Sequence, residues 1–372
     1  MATPQELATK ILATADIQIN GSRPWDIQVH DERFYARVLS GGSLALGESY
    51  MDGWWDCAAL DEFFHKLLRA KIDAKVIGLQ HLIVPYLKAK LFNRQKTHAY
   101  NIGEKHYDIG NDLYTAMLDK NMQYSCGYWR NAKTLEQAQI AKIDLICKKL
   151  KLKKGERLLD IGCGWGGLLK YAAKKYGIQG VGITVSKEQA ELARNNCAGL
   201  PIEICVIDYR KMDEKFDKIV SVGMIEHVGF KNYHTYMQVA HRCLKDGGIF
   251  LLHTIGASRT TTNAGDPWID KYIFPDGKLP SIKQLAHASE RLFLTEDLHN
   301  FGAYYDKTLL AWRANFVSAW PQLRLTGKYT ERFYRMWIYY LSCCAGAFRA
   351  RSNQLWQIVY TKRGHKEGYE RV

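Results

Sequence analysis

Arg157-Leu158-Leu159-Asp160-Ile161-Gly162-Cys163-Gly164-Trp165-Gly166-Gly167-Leu168 is the stretch whose reading decides the fold. Leu158 to Ile161 is a short apolar run of the kind that forms a buried strand, and glycines at alternate positions follow at once. The helical pattern Leu168-Leu169-Lys170-Tyr171-Ala172-Ala173 comes next. Strand, glycine turn and helix open a nucleotide-binding βα unit, in which bare backbone N–H groups at the helix start approach a ligand closely. The D-x-G-x-G-x-G spacing departs from the dinucleotide fingerprint, because its second and third glycines are one residue apart instead of two and an acid precedes the first. A pyrophosphate disfavours a carboxylate beside it, whereas a ligand with a cationic amino-acid end is drawn to one. The loop therefore reads as an S-adenosylmethionine site with Asp160 facing the charged end. The alternative is a glycine turn that only packs strand against helix.

Around this loop, helix and strand alternate as in an open parallel sheet. The spacing predicts strands at Arg157–Ile161, Gly180–Val185, Glu203–Ile207, Lys218–Val222 and Ile249–Ile255, with a late one at Trp356–Tyr360 and a helix over Thr134–Leu150 leading in. A Pro- and Gly-containing stretch, about 257–290, reads as a long functional loop or lid. Residues 1–90 form a separate N-terminal domain in this reading, 91–120 a linker and helical approach, and 121–372 the catalytic domain. The first domain has a helical start at Gln5–Ala15, strand-like alternation at Trp25–Val29 and a turn-rich middle punctuated by Gly41, Gly42 and Gly47. From Leu60 to Phe92 apolar residues recur at three and four, and Leu82–Lys96 is both apolar and basic. Such a helix can lie on an anionic bilayer; it can equally pack one face on a core and solvate the other.

The 372 residues suffice for one large core and a smaller one, and a formal charge of +14 implies an anionic partner, nucleic acid or an acidic membrane surface. Nine cysteines without a C-x-x-C pair argue against a disulfide framework or zinc site and for a reducing compartment. There is no signal-peptide pattern, and no apolar run reaches the roughly 20 residues of a spanning helix. The expectation is a cytoplasmic protein, peripheral to a membrane at most.

In an open α/β sheet ligands bind beyond the C-terminal strand ends. The second strand ends at Thr184, where many nucleotide-binding proteins place an acid for the ribose, and Gln189 one turn on is a substitute. The third ends Ile207-Asp208-Tyr209, a carboxylate beside an aromatic that suits adenine, or else a helix cap. The fourth is followed by Glu226-His227, suited to acid–base work or to capping. The fifth closes Leu252-His253-Thr254-Ile255, an apolar strand finishing in histidine; a satisfied core histidine is the other reading. No third ligand stands at metal spacing, so no metal is expected.

Taken together, Tyr124-Ser125-Cys126, Leu159–Gly167, Glu226-His227-Val228-Gly229 and Leu252–Gly256 closely resemble the cyclopropane-fatty-acyl-phospholipid synthase family, relatives of the mycolic-acid cyclopropane synthases. Gln137–Lys142, Tyr305–Leu309 and Ala345–Arg349 add to the resemblance, which spans most of the chain. It implies a class I S-adenosylmethionine-dependent methyltransferase, an α/β Rossmann-like domain preceded by a smaller, mostly helical N-terminal domain that docks on lipid. The implied activity is methylene transfer from S-adenosylmethionine to the cis double bond of unsaturated acyl chains in membrane phospholipids. The implied cofactor residues are Tyr124, Ser125, Gly162, Gly164, Thr184, Gln189, Asp208 and Tyr209. A bicarbonate ion would take the proton, cradled by Cys126 and Ile255 through main-chain groups and by Glu226, His253 and Tyr305 through side chains, with Tyr304 the alternative to Tyr305. The partner is a phospholipid bilayer at the inner face of the membrane, with a homodimer possible and no nucleic acid. A family sibling adding a methyl branch and a nucleic-acid methyltransferase are the alternatives, although the chain lacks an N-P-P-Y base pocket.

Overall fold

The computed structural model describes residues 2–71, 110–261 and 265–372, and the chain divides into two compact units. The first takes residues 1–92, 262–275 and 305–353; the second takes 93–261, 276–304 and 354–372. The N-terminal part holds α1 (Pro4–Ala13), β1 (Gln28–Val29), α2 (Arg33–Met51), β2 (Trp55–Asp56) and α3 (Leu60–Arg69). A capping box of Thr3 and Glu6 starts α1. The chain then runs through α4 (Asn111–Met117), α5 (Leu135–Lys149), β3 (Arg157–Ile161), α6 (Gly167–Tyr176), β4 (Gln179–Thr184), α7 (Lys187–Asn196), β5 (Ile202–Val206), β6 (Phe216–Val222), α8 (Tyr233–Cys243) and β7 (Leu244–Ala257). It closes with α9 (Pro267–Tyr272), α10 (Ile282–Ser289), β8 (Leu294–Asn300), α11 (Ala303–Leu325), α12 (Glu331–Arg349) and β9 (Asn353–Thr361).

In the second unit a seven-stranded sheet has the order β5-β4-β3-β6-β7-β9-β8. From β5 to β7 neighbours are parallel, and β8 pairs antiparallel with β9. Both faces are covered, which is why the strands read as continuous apolar runs. Leu159, Ile161, Phe250 and Leu252 enter the core under α8 and α10, while Leu158, Val220, Ile249 and Leu251 enter the core under α5, α6 and α7. This two-residue alternation puts Asp160 on the α5 face of β3 with Leu158, and His253 on the α5 face of β7 with Leu251.

The first unit is mostly helical, built on an aromatic core that includes Trp55, Phe63, Trp268, Trp312 and Trp337. Its make-up differs from the expected division at residue 90: α9, α12 and α11 from Tyr305 onward belong to the same unit as the N-terminal helices. The stretch 257–290 is likewise not one long loop, since α9 belongs to the first unit and α10 to the second. The expected turn-rich middle is α2, kinked at Gly42 where φ is +57°. Position 47 of that helix admits no side chain, because a Cβ there would collide with the buried Trp268 ring. Edge strand β8 gave no sequence signal. Leu82–Lys96 lies outside the described residues. No helix among the described residues is long and apolar enough to cross a membrane.

Candidate active site

The βα turn after β3 follows the backbone logic of its glycines. Gly162, Gly164 and Gly166 all have positive φ, and no atom stands within 4 Å of where a Cβ on Gly164 would lie. Trp165 anchors the turn by donating from Nε1 to Asn111 Oδ1 on α4 (2.9 Å) and by resting its ring against Tyr114. A cavity opens over this turn, and it is lined by Tyr124, Ser125, Asp160, Gly162, Gly164, Thr184, Gln189, Asp208 and Tyr209. The ends of β3, β4 and β5, together with the segment before α5 that carries Tyr124 and Ser125, bring the residues named for the cofactor to one place.

Each wall has its own electrostatics. Asp160 is 3% exposed, its Oδ1 has no hydrogen-bond partner among the described residues, and burial pushes its carboxyl up to about 7 although the Lys142 charge pulls the other way. Burial also acts on Asp208, but hydrogen bonds from Arg210 outweigh it and hold that carboxyl below its ordinary range. Asp208 caps the turn Tyr209–Lys211 by accepting from Arg210 N (2.9 Å), and it also lines the cavity. Thr184 Oγ1 donates to Gln189 Oε1 (3.1 Å), which orients the Gln189 amide.

The other five residues do not line this cavity. Glu226 lies in a turn after β6, buried, with Oε1 accepting from Ile255 N (2.7 Å) and Oε2 without a partner among the described residues; burial raises its carboxyl to about 7. His253 Nδ1 faces Gln357 Nε2 at 3.3 Å, and its Nε2 has no partner among the described residues. Burial first, then the Lys142 and Lys149 charges, keeps this imidazole neutral. Cys126 is fully buried beside the cavity residue Ser125, its Sγ against Gly127 O (3.3 Å). Tyr305 belongs to the first unit and packs at a tilt on Phe348, ring centroids 4.5 Å apart, whereas Tyr304 belongs to the second and packs edge-on to Tyr128. One expectation changes: the Ile255 N–H is engaged by Glu226, so an anion would not meet it directly.

His227, weighed in sequence with Glu226 for acid–base work but not named among the site residues, lines the cavity where its neighbour does not, and burial lowers its imidazole to about 4. Sequence reasoning assigned no role to Gln139 and Lys142, although both stood in a motif at helical i, i+3 spacing.

The groups present fit S-adenosylmethionine. A buried carboxylate with no partner on Oδ1 among the described residues faces the cavity, bare glycine backbone lines the turn, and the acid–aromatic pair Asp208-Tyr209, suited to adenine, lines the same cavity. Sheet order, glycine turn and acid together define a class I S-adenosylmethionine-dependent methyltransferase.

The comparisons narrow the class. Residues 94–358 match the family model described as mycolic acid cyclopropane synthetase. Cyclopropane-fatty-acyl-phospholipid synthase of Escherichia coli K12 is 55% identical over 97% of this chain and 94% of its own length. Tuberculostearic acid methyltransferase UfaA1 of Mycobacterium tuberculosis is 31% identical over 88% of this chain and 81% of its own. The crystal structure of mycolic acid cyclopropane synthase CmaA1 complexed with SAH and CTAB superposes with a TM-score of 0.65 at 33% identity, covering 71% of this chain and 98% of that one. The chain belongs to the mycolic acid cyclopropane synthetase family.

Proposed function

We propose that this protein transfers a methylene group from S-adenosylmethionine to the cis double bond of unsaturated acyl chains in membrane phospholipids. The observation that carries this reading is the extent of likeness to the phospholipid synthase. That match takes in 97% of the chain, whereas the family model begins only at residue 94. The N-terminal unit is therefore shared with a relative named for phospholipid, and the reading gives it the task of steadying the protein at a bilayer.

S-adenosylmethionine supplies an electrophilic methyl when bound, and bicarbonate supplies a small base for the proton that must leave. An alkene is a weak nucleophile, so the protein contributes mainly alignment and a water-poor site. Asp160 would hold the ammonium end and Asp208 with Tyr209 the adenine. Gln357 Nε2 donates to His253 Nδ1, so the ring proton sits on His253 Nε2, a buried donor suited to an anion. With a carboxyl near 7, Glu226 spends part of its time protonated at neutral pH and can then donate from Oε2 as well. These two groups suit a small oxyanion better than Ile255 N does.

The test is turnover of labelled S-adenosylmethionine with unsaturated phospholipid vesicles, read by mass and by the ring protons in NMR. Glu226→Gln and His253→Ala should each lose most turnover, on the order of a hundredfold for an acid–base group, while keeping cofactor affinity. Near-normal rates in both would remove them from proton transfer, and a product that keeps its alkene would favour the family sibling that adds a methyl branch.

A further inference from the structure

Lys142 is a buried cation behind the cofactor cavity. It is 0% exposed on α5, one turn beyond Gln139, and both reach the same segment. Gln139 Nε2 donates to Ser125 O (2.8 Å) and, at 3.4 Å, to Gln123 O. Lys142 Nζ donates to Ser125 Oγ (2.9 Å) and to Gln123 Oε1 (2.5 Å). Gln123, Tyr124 and Ser125 all line the cavity, so this helix face clamps one of its walls. No carboxylate among the described residues lies within ion-pair distance of Lys142 Nζ. Burial accordingly lowers its ammonium to about 8, and the carboxylates of Asp119 and Asp160 offset that only in part. A buried charge lacking a direct counter-ion is costly, and it becomes favourable once a ligand brings the opposite charge nearby.

An ammonium group only donates. Ser125 Oγ must therefore accept from Lys142, and the single Ser125 hydroxyl proton is turned away from it. We propose that Lys142 is a positioning residue for the carboxylate end of the bound amino-acid moiety: it fixes Ser125 Oγ as an acceptor, directs the Ser125 proton at that carboxylate and supplies the countercharge behind it. Asp160 takes the ammonium of the same zwitterion. The inference rests on the reading of the cavity as an S-adenosylmethionine site, and it adds which group reads the carboxylate.

Calorimetry with the full chain tests it, using S-adenosylmethionine and its decarboxylated analogue as probes. Wild type should prefer the intact cofactor. Lys142→Met should bind it about tenfold or more weakly and leave the analogue's affinity equal or higher, so that the preference collapses. Ser125→Ala should do the same, and Lys142→Met added to Ser125→Ala should change the preference little further. A clamp that merely shapes the wall would weaken both ligands together. Equal losses for the two probes, or an unchanged preference, overturn the proposal. Should Lys142→Met fail to fold by circular dichroism, Ser125→Ala alone decides, and an unchanged preference there overturns it too. A wild-type protein that binds neither probe fails at the level of the cavity reading, and the inference falls with it.

Discussion

Asp160 pairs through β3 with Gly182 on one side and Val220 on the other, and little of it meets water. Its folded-state carboxyl, near 7, stands above the ordinary 3.8 because of burial. The folded chain therefore binds more protons than the unfolded one between these values. The resulting penalty is absent below about pH 4 and grows to at most about 4 kcal/mol as pH rises past 7. A cationic ligand end reverses this by favouring the ionised form, so binding should expel a proton near neutral pH. Asp160→Asn should thus weaken S-adenosylmethionine binding tenfold or more, about 1.4 kcal/mol. It should leave the melting midpoint unchanged or higher and abolish proton release, which calorimetry in buffers of different ionisation enthalpy measures. A less stable variant with unchanged affinity would give Asp160 a structural role only.

Where α12 crosses α3, two residues of the motif Ala345–Arg349 show their use. A Cβ on Gly346 would stand 2.7 Å from Asp61 O and 2.8 Å from His65 N, backbone atoms that have no rotamer to change. Arg349 reaches Asp306 (2.9 Å), Asp61 (2.7 Å) and Glu62 (2.8 Å), so its guanidinium joins α11 and α12 to α3. Asp306 comes from the motif that also holds Tyr305, which means that part of the family's sequence signature is packing within the first unit. Gly346→Ala should destabilise that unit by about 1–3 kcal/mol through overpacking, seen as a lower thermal midpoint. Cofactor affinity, set by residues of the second unit, should stay the same. An unaltered midpoint would mean that the crossing relaxes freely.

At the scale of the whole molecule, the first unit is assembled from three stretches of chain. Removing its N-terminal part would strip partners from Tyr339, which packs on Tyr50 and Phe64, and from Trp268, which lies over Gly47. A chain lacking residues 1–71 should therefore aggregate and not persist as a clean catalytic domain, as light scattering would reveal. For the same reason bilayer docking is best measured on the full chain. With a formal charge of +14, and roughly 1 kcal/mol for each Lys or Arg near an anionic leaflet, sedimentation with vesicles should rise with anionic lipid and fall with salt. Binding that ignores both would leave the charge without this role.

The strand–glycine–helix unit, the parallel order of the sheet's centre and the residues brought to the cavity were legible in sequence because their determinants are local. An apolar run followed by a turn marks a strand end, and in an α/β sheet strand ends are where ligands bind. Strand β8, Leu294–Asn300, was not legible: Thr295, Glu296, Asp297 and His299 lend it little apolar pattern, and it occupies the sheet edge. Nor did composition reveal that 305–353 packs with the N-terminal helices, because an apolar stripe declares that a face is buried without naming its partner. The same limit hid Lys142. Its place beside Ser125 and its loss of water arise only when α5 is laid over β3, and a lysine in a helical motif otherwise reads as solvated charge. Sequence alone thus determined the nucleotide-binding framework, while tertiary packing decided which charges are buried and which stretches of chain make up each unit.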